Sequence, residues 1–327
     1  MKAIVVNRQG GPEVMEFRQD VELPEPGPRQ VLIRVQGTSV NFADIKARYG
    51  QYHAANGKTH YIPGLDLTGI IERVGSEVKS LQPGQRVIAF PINGSYAEYA
   101  AADEALTFPI PESLSIETAA ACPIVSFTSF NLLHQAARLE KGETVLIHAA
   151  SGGVGTTAVQ MAKLLGAGKV IGTVGSDSKA GIVREAGADA VINYRQEALG
   201  EKVLELTDGR GADVILDSVG GEVFEQSLKV LAMFGRLVNF GDAGGAGIAD
   251  WGELKYSSCR SIIGYSFGTY RKNRPETLKE TAANVLSYLA EGELTIYVSR
   301  AFPLAEAAQA HQWMGSRQHT GKLILLT

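Results

Sequence analysis

The residues best suited to chemistry stand together in Ala149-Ala-Ser151-Gly152-Gly153-Val154-Gly155. Glycines at this density let a backbone approach a phosphate where side chains would collide. A helix starting beside them offers unpaired N–H groups to the anion. The flanking residues supply the elements that such a turn requires. Thr144 to Ile147 is a β-branched and aliphatic run that reads as a buried strand. Val154, Ala158, Met161, Ala162 and Leu165 recur at helical spacing on one face. Strand, turn and helix together read as the opening of a dinucleotide-binding βαβ unit, with Ala150 in place of the first glycine of G-x-G-x-x-G. Glycines alone would mark only a tight turn; the flanks favour the nucleotide.

That unit sits in a longer alternation. Strands are expected at 144–149, 169–173, 190–193, 212–217 and 235–240, with helices at 154–165, 178–186, 197–206 and 222–231 between them. Such an order demands a parallel sheet with crossover helices over residues 122–265. Upstream, residues 1–121 carry short strands such as Val31–Val35, Leu67–Val74 and Gln85–Phe90, punctuated by Gly and Pro, which suggests a β-rich, barrel-like module. Ser39–Tyr49 suggests one short helix there. Ser115 reads as the N-cap of a helix with Glu117 in its first turn. After residue 265 come a helix at 276–289, a strand at 295–300, a helix at 304–314 and a strand at 322–326. This tail, 266–327, is too short for a third domain and is expected to return to the first.

The totals exclude other classes. A chain of 327 residues, 45% hydrophobic and 20% charged, has room for two globular domains. A formal net charge of −4 argues against nucleic acid or an anionic membrane as the main partner. Cys122 and Cys259 lie in unrelated contexts and supply neither a zinc cluster nor a disulfide framework. Met1 to Val6 reads as a first strand rather than a signal peptide, and no apolar run approaches a membrane span. A soluble cytoplasmic protein is the expectation.

The second strand of the parallel unit separates the two nicotinamide cofactors. An NAD-binding fold usually places Asp or Glu at its end. Here Gly175 and Ser176 stand there, followed by Lys179. Small residues leave room for a 2′-phosphate and Lys179 offers it charge, which favours NADPH. Asp177 reads either as a ribose ligand or as a helix cap.

Several ordered segments now point to one family. They are Val40-Asn41-Phe-Ala-Asp44, Pro63-Gly64-Leu-Asp66-Leu-Thr-Gly69 and Val74-Gly75-Ser-Glu-Val78, then Ala149–Gly155, Asp217-Ser218-Val-Gly220, Phe240-Gly241 and Thr320-Gly-Lys322. In these the chain resembles the zinc-independent quinone oxidoreductases of the medium-chain dehydrogenase/reductase superfamily, over essentially its whole length. The resemblance implies an α/β architecture in which a Rossmann doubly wound parallel sheet is inserted into a GroES-like β-rich catalytic domain. It implies NADPH as cofactor and a small-molecule quinone or enone as substrate.

The same resemblance implies roles for particular residues. Asn41 and Tyr52 would stand beside the nicotinamide, with the Tyr52 phenol able to bond an oxyanion and supply a proton. Tyr49 could serve instead, and Asn41 could merely stabilise its turn. Ser151, Gly152, Gly153 and Val154 would cradle the pyrophosphate. Thr128 and Lys322 would lie toward the nicotinamide, and Tyr194 toward the adenosine phosphate. Thr173, Ser176, Lys179, Ser218, Phe240 and Gly241 complete the implied cofactor set. Asp44 would order the active-site loop. Lys46 stands where some quinone-reducing relatives have Tyr, which leaves the acceptor open.

The zinc-dependent branch carries a Cys in the segment equivalent to Ser39–Asp44 and Gly-His-Glu where this chain has Gly64-Leu-Asp66. Four cysteines for structural zinc are also missing after Val87–Pro91, and the histidines show no ligand spacing. No metal is expected. Two other readings share the motifs: a 2-enoyl-thioester reductase, with Tyr270–Arg274 as a basic loop for a carrier phosphate, and a non-catalytic NADPH-binding protein with a structural or redox-sensing role. A homodimer is expected through Ser261–Phe267 as an edge strand, which light scattering checks.

Overall fold

The computed structural model describes residues 1–51, 60–91, 94–254 and 258–327. These residues fall into two compact units. One comprises Met1–Ile124, Asn273–Gly292 and Ile296–Thr327; the other comprises Val125–Lys272 and Glu293–Thr295.

The first unit opens with β1 (Ala3–Val6) and β2 (Met15–Arg18), paired antiparallel. Then follow β3 (Gln30–Val40), helix α1 (Phe42–Arg48), β4 (Leu67–Val74), β5 (Arg86–Ala89), β6 (Tyr99–Asp103) and β7 (Thr107–Pro109). β3 is the hub: β4 and β6 both pair with it antiparallel, and most of its residues are buried, Thr38 and Ser39 among them. Val31, Ile33, Leu67, Ile71 and Val87 form the core beneath it. Helix α2 (Ile116–Asn131) begins where Ser115 Oγ accepts the Thr118 N–H at 3.1 Å.

The second unit is a six-stranded parallel sheet. Its strands and helices are β8 (Thr144–Ile147), α3 (Gly153–Leu164), β9 (Lys169–Val174), α4 (Ala180–Glu185), β10 (Ala190–Asn193), α5 (Leu199–Leu206), β11 (Ala212–Asp217), α6 (Gly221–Lys229), β12 (Leu231–Asn239), α7 (Trp251–Leu254) and β13 (Ser261–Gly264). The spatial order is β10-β9-β8-β11-β12-β13, the doubly wound order of dinucleotide-binding sheets. Leu146, Ile171, Ile215 and Leu237 fill the centre against Val203, Phe224 and Leu228 of the helices. β13 stands at one edge.

The chain then adds α8 (Phe267–Asn273), α9 (Leu278–Ala290), β14 (Val298–Pro303), α10 (Ala307–Gly315) and β15 (Lys322–Leu326). β15 pairs antiparallel with β3, completing the order β14-β15-β3-β4-β5-β7. The last strand thus returns to the first unit, and the architecture is a Rossmann sheet within a GroES-like β-rich fold.

Several expectations need correction. Residues 121 and 122 both lie within α2, and the compact units divide at Ile124/Val125 and at Lys272/Asn273. The basic segment Tyr270–Arg274 is largely helical, with the Arg271 guanidinium 5.7 Å from the Phe267 ring centre, and is not an open loop. β12 begins four residues before Gly235, because a register shift against β11 and a positive φ of 61° at Phe234 break the periodicity that would announce it. An apolar helical run does reach spanning length: Ile116–Ala136 covers 21 residues, and 78% of its most apolar window is buried inside the protein. It is a core helix by that burial.

Candidate functional site

In the second unit the sequence-selected residues converge on the carboxyl ends of the parallel strands. Ala149, just past β8, adopts φ 49°, which bends the chain into the turn. Gly152 caps α3 in an extended conformation, and Gly153 begins that helix. Gly155 is the position with no spare room: a Cβ there would lie 2.4 Å from the Ala149 carbonyl oxygen and 2.6 Å from the Ala150 Cα. Ala150 takes the place of the first consensus glycine because its neighbour yields the space. A Cβ added at Gly172 of β9 would meet the Ala150 methyl at 2.8 Å. Ser151 is buried, and Gly152, Gly153 and Val154 are half-buried, at the start of α3. Ser129 Oγ donates to the Val154 carbonyl at 3.2 Å, which places the adjoining Thr128, buried on α2, near the same turn.

His148 braces the turn from behind. Ser227 Oγ donates its proton to the Val223 carbonyl, so it can only accept from His148 Nε2 at 2.8 Å. His148 Nδ1 is then free to accept from Thr173 Oγ1 at 3.1 Å. Burial lowers the His148 pKa to about 4. Thr173 is buried and its hydroxyl is engaged with His148.

At the end of β9, a Cβ on Gly175 would come within 2.7 Å of the Tyr194 hydroxyl and 3.7 Å of Arg195 Nε. No acidic side chain can occupy that point without displacing Tyr194. Asp177, whose role was open, accepts from Asn193 Nδ2 at 2.8 Å and Gln196 Nε2 at 3.0 Å. It ties the β9 and β10 ends together. Ser176 and Lys179 are half-buried beside it, and Tyr194 and Arg195 are exposed. Ser218 and Gly241 also meet: a Cβ at Gly241 would lie 2.8 Å from the Ser218 carbonyl oxygen. Their approach is held by Asp217, which accepts from the Val219 and Gly220 amides and from Asn239 Nδ2. Phe240 follows, half-buried, its amide donating to the Asp217 carbonyl.

In the first unit, Asn41 and Lys322 are brought together although they lie 281 positions apart. Lys322 Nζ donates to Asn41 Oδ1 and to the Val40 carbonyl, each at 2.8 Å. Asn41 Nδ2 donates to Ser39 Oγ at 3.1 Å and Asp66 Oδ1 at 3.3 Å. Asp66 also accepts from Ser39 Oγ at 2.8 Å and from the Ile124 amide at 3.0 Å. That amide lies beside Pro123, whose missing N–H interrupts the α2 ladder. Asp44 closes a capping box on Asn41, accepting its backbone N–H at 2.8 Å.

Tyr96 hydroxyl donates to Asp44 Oδ2 at 3.3 Å and so accepts from His311 Nε2 at 3.1 Å. Burial raises the Asp44 pKa to about 7 and lowers that of His311 to about 3. It also raises Asp66 and lowers Lys322, although each favours the other's charge. Asp66, Tyr96, His311, His148 and Arg195 escaped the sequence reading as site residues. Tyr52 lies outside the described residues. Tyr49 is exposed with the Arg48 guanidinium 4.9 Å from its ring centre, and Lys46 lies 6.0 Å from the Phe42 ring centre.

Comparisons with known proteins agree with this geometry. Residues 27–112 match the family described as alcohol dehydrogenase GroES-like domain, and residues 153–286 the family described as zinc-binding dehydrogenase. A quinone oxidoreductase of Pseudomonas aeruginosa is 39% identical over 99% of this chain and 99% of its own. The structure of Escherichia coli quinone oxidoreductase complexed with NADPH superposes with a TM-score of 0.93 at 33% identity, covering 100% of both chains. A mycocerosic acid synthase-like polyketide synthase of Mycobacterium tuberculosis is 32% identical over 98% of this chain, which corresponds to 15% of that protein. The chain is an oxidoreductase of the medium-chain dehydrogenase/reductase superfamily and belongs to its quinone oxidoreductase family.

Proposed function

We propose that this protein reduces quinones or related α,β-unsaturated carbonyls with NADPH and without zinc. The observation that carries the cofactor half of the reading is the close fit of Tyr194 over Gly175, with Arg195 alongside. It removes the acid that would bond a free ribose and leaves a cation for a 2′-phosphate. The cradle that a Cβ at Gly155 would fill supports a pyrophosphate at the start of α3. The full-length likeness to quinone oxidoreductases supports the acceptor class.

The donor chemistry supports a reaction without zinc. Where the zinc-dependent branch has thiolate and imidazole, this chain offers Ser39, Asn41, Asp44 and Asp66, with the Lys322 ammonium already bonded among them. Oxygen and amide donors beside a fixed cation do not fit tetrahedral zinc. The chemistry supplied on binding NADPH is a hydride equivalent. The protein's share is to hold the dinucleotide along the strand ends, to fix Asn41 through the capping box and Lys322, and to meet charge on the acceptor oxygen. Tyr52 is the proposed proton donor to that oxygen. A homodimer joined at the β13 edge belongs to the same reading.

Steady-state rates with NADPH and NADH against matched quinones and enones test it. Oxidation of NADPH by at least one acceptor, with NADH poorer, is expected; no absorbance loss with any acceptor overturns it. The resemblance to part of a polyketide synthase favours one second reading, reduction of a 2-enoyl thioester, and turnover of crotonyl thioester without turnover of quinones would select it.

A further inference from the structure

We propose that the buried ammonium of Lys322 is itself a catalytic group: a fixed organic cation that takes over, in this chain, the charge stabilisation a metal ion gives the acceptor oxygen. This rests on the reading above, that hydride passes to a quinone or enone. The segments equivalent to the zinc-ligand positions of the metal-dependent branch, Ser39–Asp44 and Gly64–Asp66, are in contact here through the Ser39–Asp66 and Asn41–Asp66 hydrogen bonds. The cation among them is Lys322, 3% exposed, donating to the Val40 carbonyl and to Asn41 Oδ1.

The donor inventory separates the duties of Asn41 and Lys322. The Asn41 amide is committed on both sides: its oxygen accepts from Lys322, and its nitrogen donates to Ser39 and Asp66. Asn41 is thus a positioning residue in this proposal. An ammonium carries three donors, and two of those on Lys322 are used within the described residues. The proposal gives the third to the acceptor oxygen.

The balance of the step is simple. A C–H bond of the dihydronicotinamide breaks and a new bond from that hydrogen forms on the acceptor, which gains two electrons while the nicotinamide is oxidised. Negative charge appears on the acceptor oxygen, and a proton from water neutralises it. Lys322 donates a hydrogen bond throughout and keeps its proton. Lys322 Nζ is held in place by the Val40 carbonyl and Asn41 Oδ1 before the reaction, so the donor needs no rearrangement.

Acceptors should feel its loss unequally. A hydroquinone anion spreads its charge over an aromatic ring, whereas a simple enolate concentrates it on oxygen. Lys322→Gln, which keeps an amide donor and drops the charge, is therefore measured with one quinone and one simple enone. The expected result is a fall in kcat/KM of about 100-fold for the enone and about tenfold or less for the quinone, the size of a lost oxyanion donor. NADPH affinity, read by fluorescence titration, should stay within about threefold, and Lys322→Arg should restore most of the enone rate. Equal losses for both acceptors, or a matching loss of NADPH affinity, would overturn the proposal and leave Lys322 a structural or cofactor-holding residue. Asp66→Asn gives the second arm, needed if the glutamine variant does not fold: it removes a carboxylate that favours the buried ammonium, so the enone-to-quinone ratio should fall, and an unchanged or higher ratio counts against the idea. Wild-type protein that turns over neither acceptor would fail the functional reading, and this inference with it; wild-type activity with an unmoved ratio fails the inference alone.

Discussion

The glycine turn and the buried charge cluster solve two problems by different means. The turn is a steric device written in seven consecutive residues, Ala149 to Gly155, and its demand is local: no Cβ can stand at Gly155. The cluster is an electrostatic device gathered from Ser39, Asn41, Asp44, Asp66, Tyr96, His311 and Lys322, spread over most of the chain. Exclusion of atoms leaves a signature where it acts. Balance of charge leaves none, because each member is an ordinary residue among its own sequence neighbours and gains meaning only from its partners.

Substitutions should expose that difference. The largest effect is expected at the turn: Gly155→Val forces the loop off the Ala149 carbonyl and should weaken NADPH binding by about 100-fold or more, with NADH weakened alike. Fluorescence titration reads it, and retained tight binding would break the account of the cradle. A charge effect should instead discriminate between ligands. Arg195→Ala is expected to lower the preference for NADPH over NADH by about tenfold, roughly 1.4 kcal/mol, while leaving kcat/KM for NADH unchanged. An equal loss with both cofactors would make Arg195 a support for the β10 end and nothing more.

The smallest effect is a slope with pH. His148 and His311 have folded pKa values of about 4 and about 3, below their ordinary 6.5, so their contribution to stability is complete above pH 6.5 and is lost as pH falls toward those values. Asp44 runs the other way. Raised from 3.8 to about 7, its contribution is complete below pH 3.8 and is lost as pH rises to about 7. Asp66, also raised by burial, works in the same sense as Asp44, so two carboxyls oppose two imidazoles and the informative quantity is the change one substitution makes. His148→Asn should raise the melting temperature at pH 4.5 relative to that at pH 7, compared with the unsubstituted protein; an unchanged difference would remove the imidazole from the balance.

What could be read in advance follows the same division. The parallel unit was legible because each strand is a short apolar run and each crossover helix has its own face, as in β8 and α3. The first unit was legible only in part. β6 and β7 went unread: Tyr99-Ala-Ala-Ala-Asp103 lacks a strand-forming alternation and is a strand because β3 needs a partner on that edge. At the site, Gly152, Gly155 and Gly175 declared themselves by what they lack. The Thr173 bond to His148 was not legible, since nothing in Lys169–Val174 indicates it. Tyr96 and His311 could have been found only by knowing that the fold brings a loop residue within 3.1 Å of α10.

The Ala150–Gly172 contact changes what a fingerprint means. The first letter of the glycine motif is a volume requirement shared by two adjacent strands, and this chain meets it by moving the missing side chain from one strand to the next. A search that reads along one segment counts Ala150 as a defect. A search that reads across the hydrogen-bonded neighbours counts the pair as intact, and should recover nucleotide-binding chains whose linear motif has lapsed.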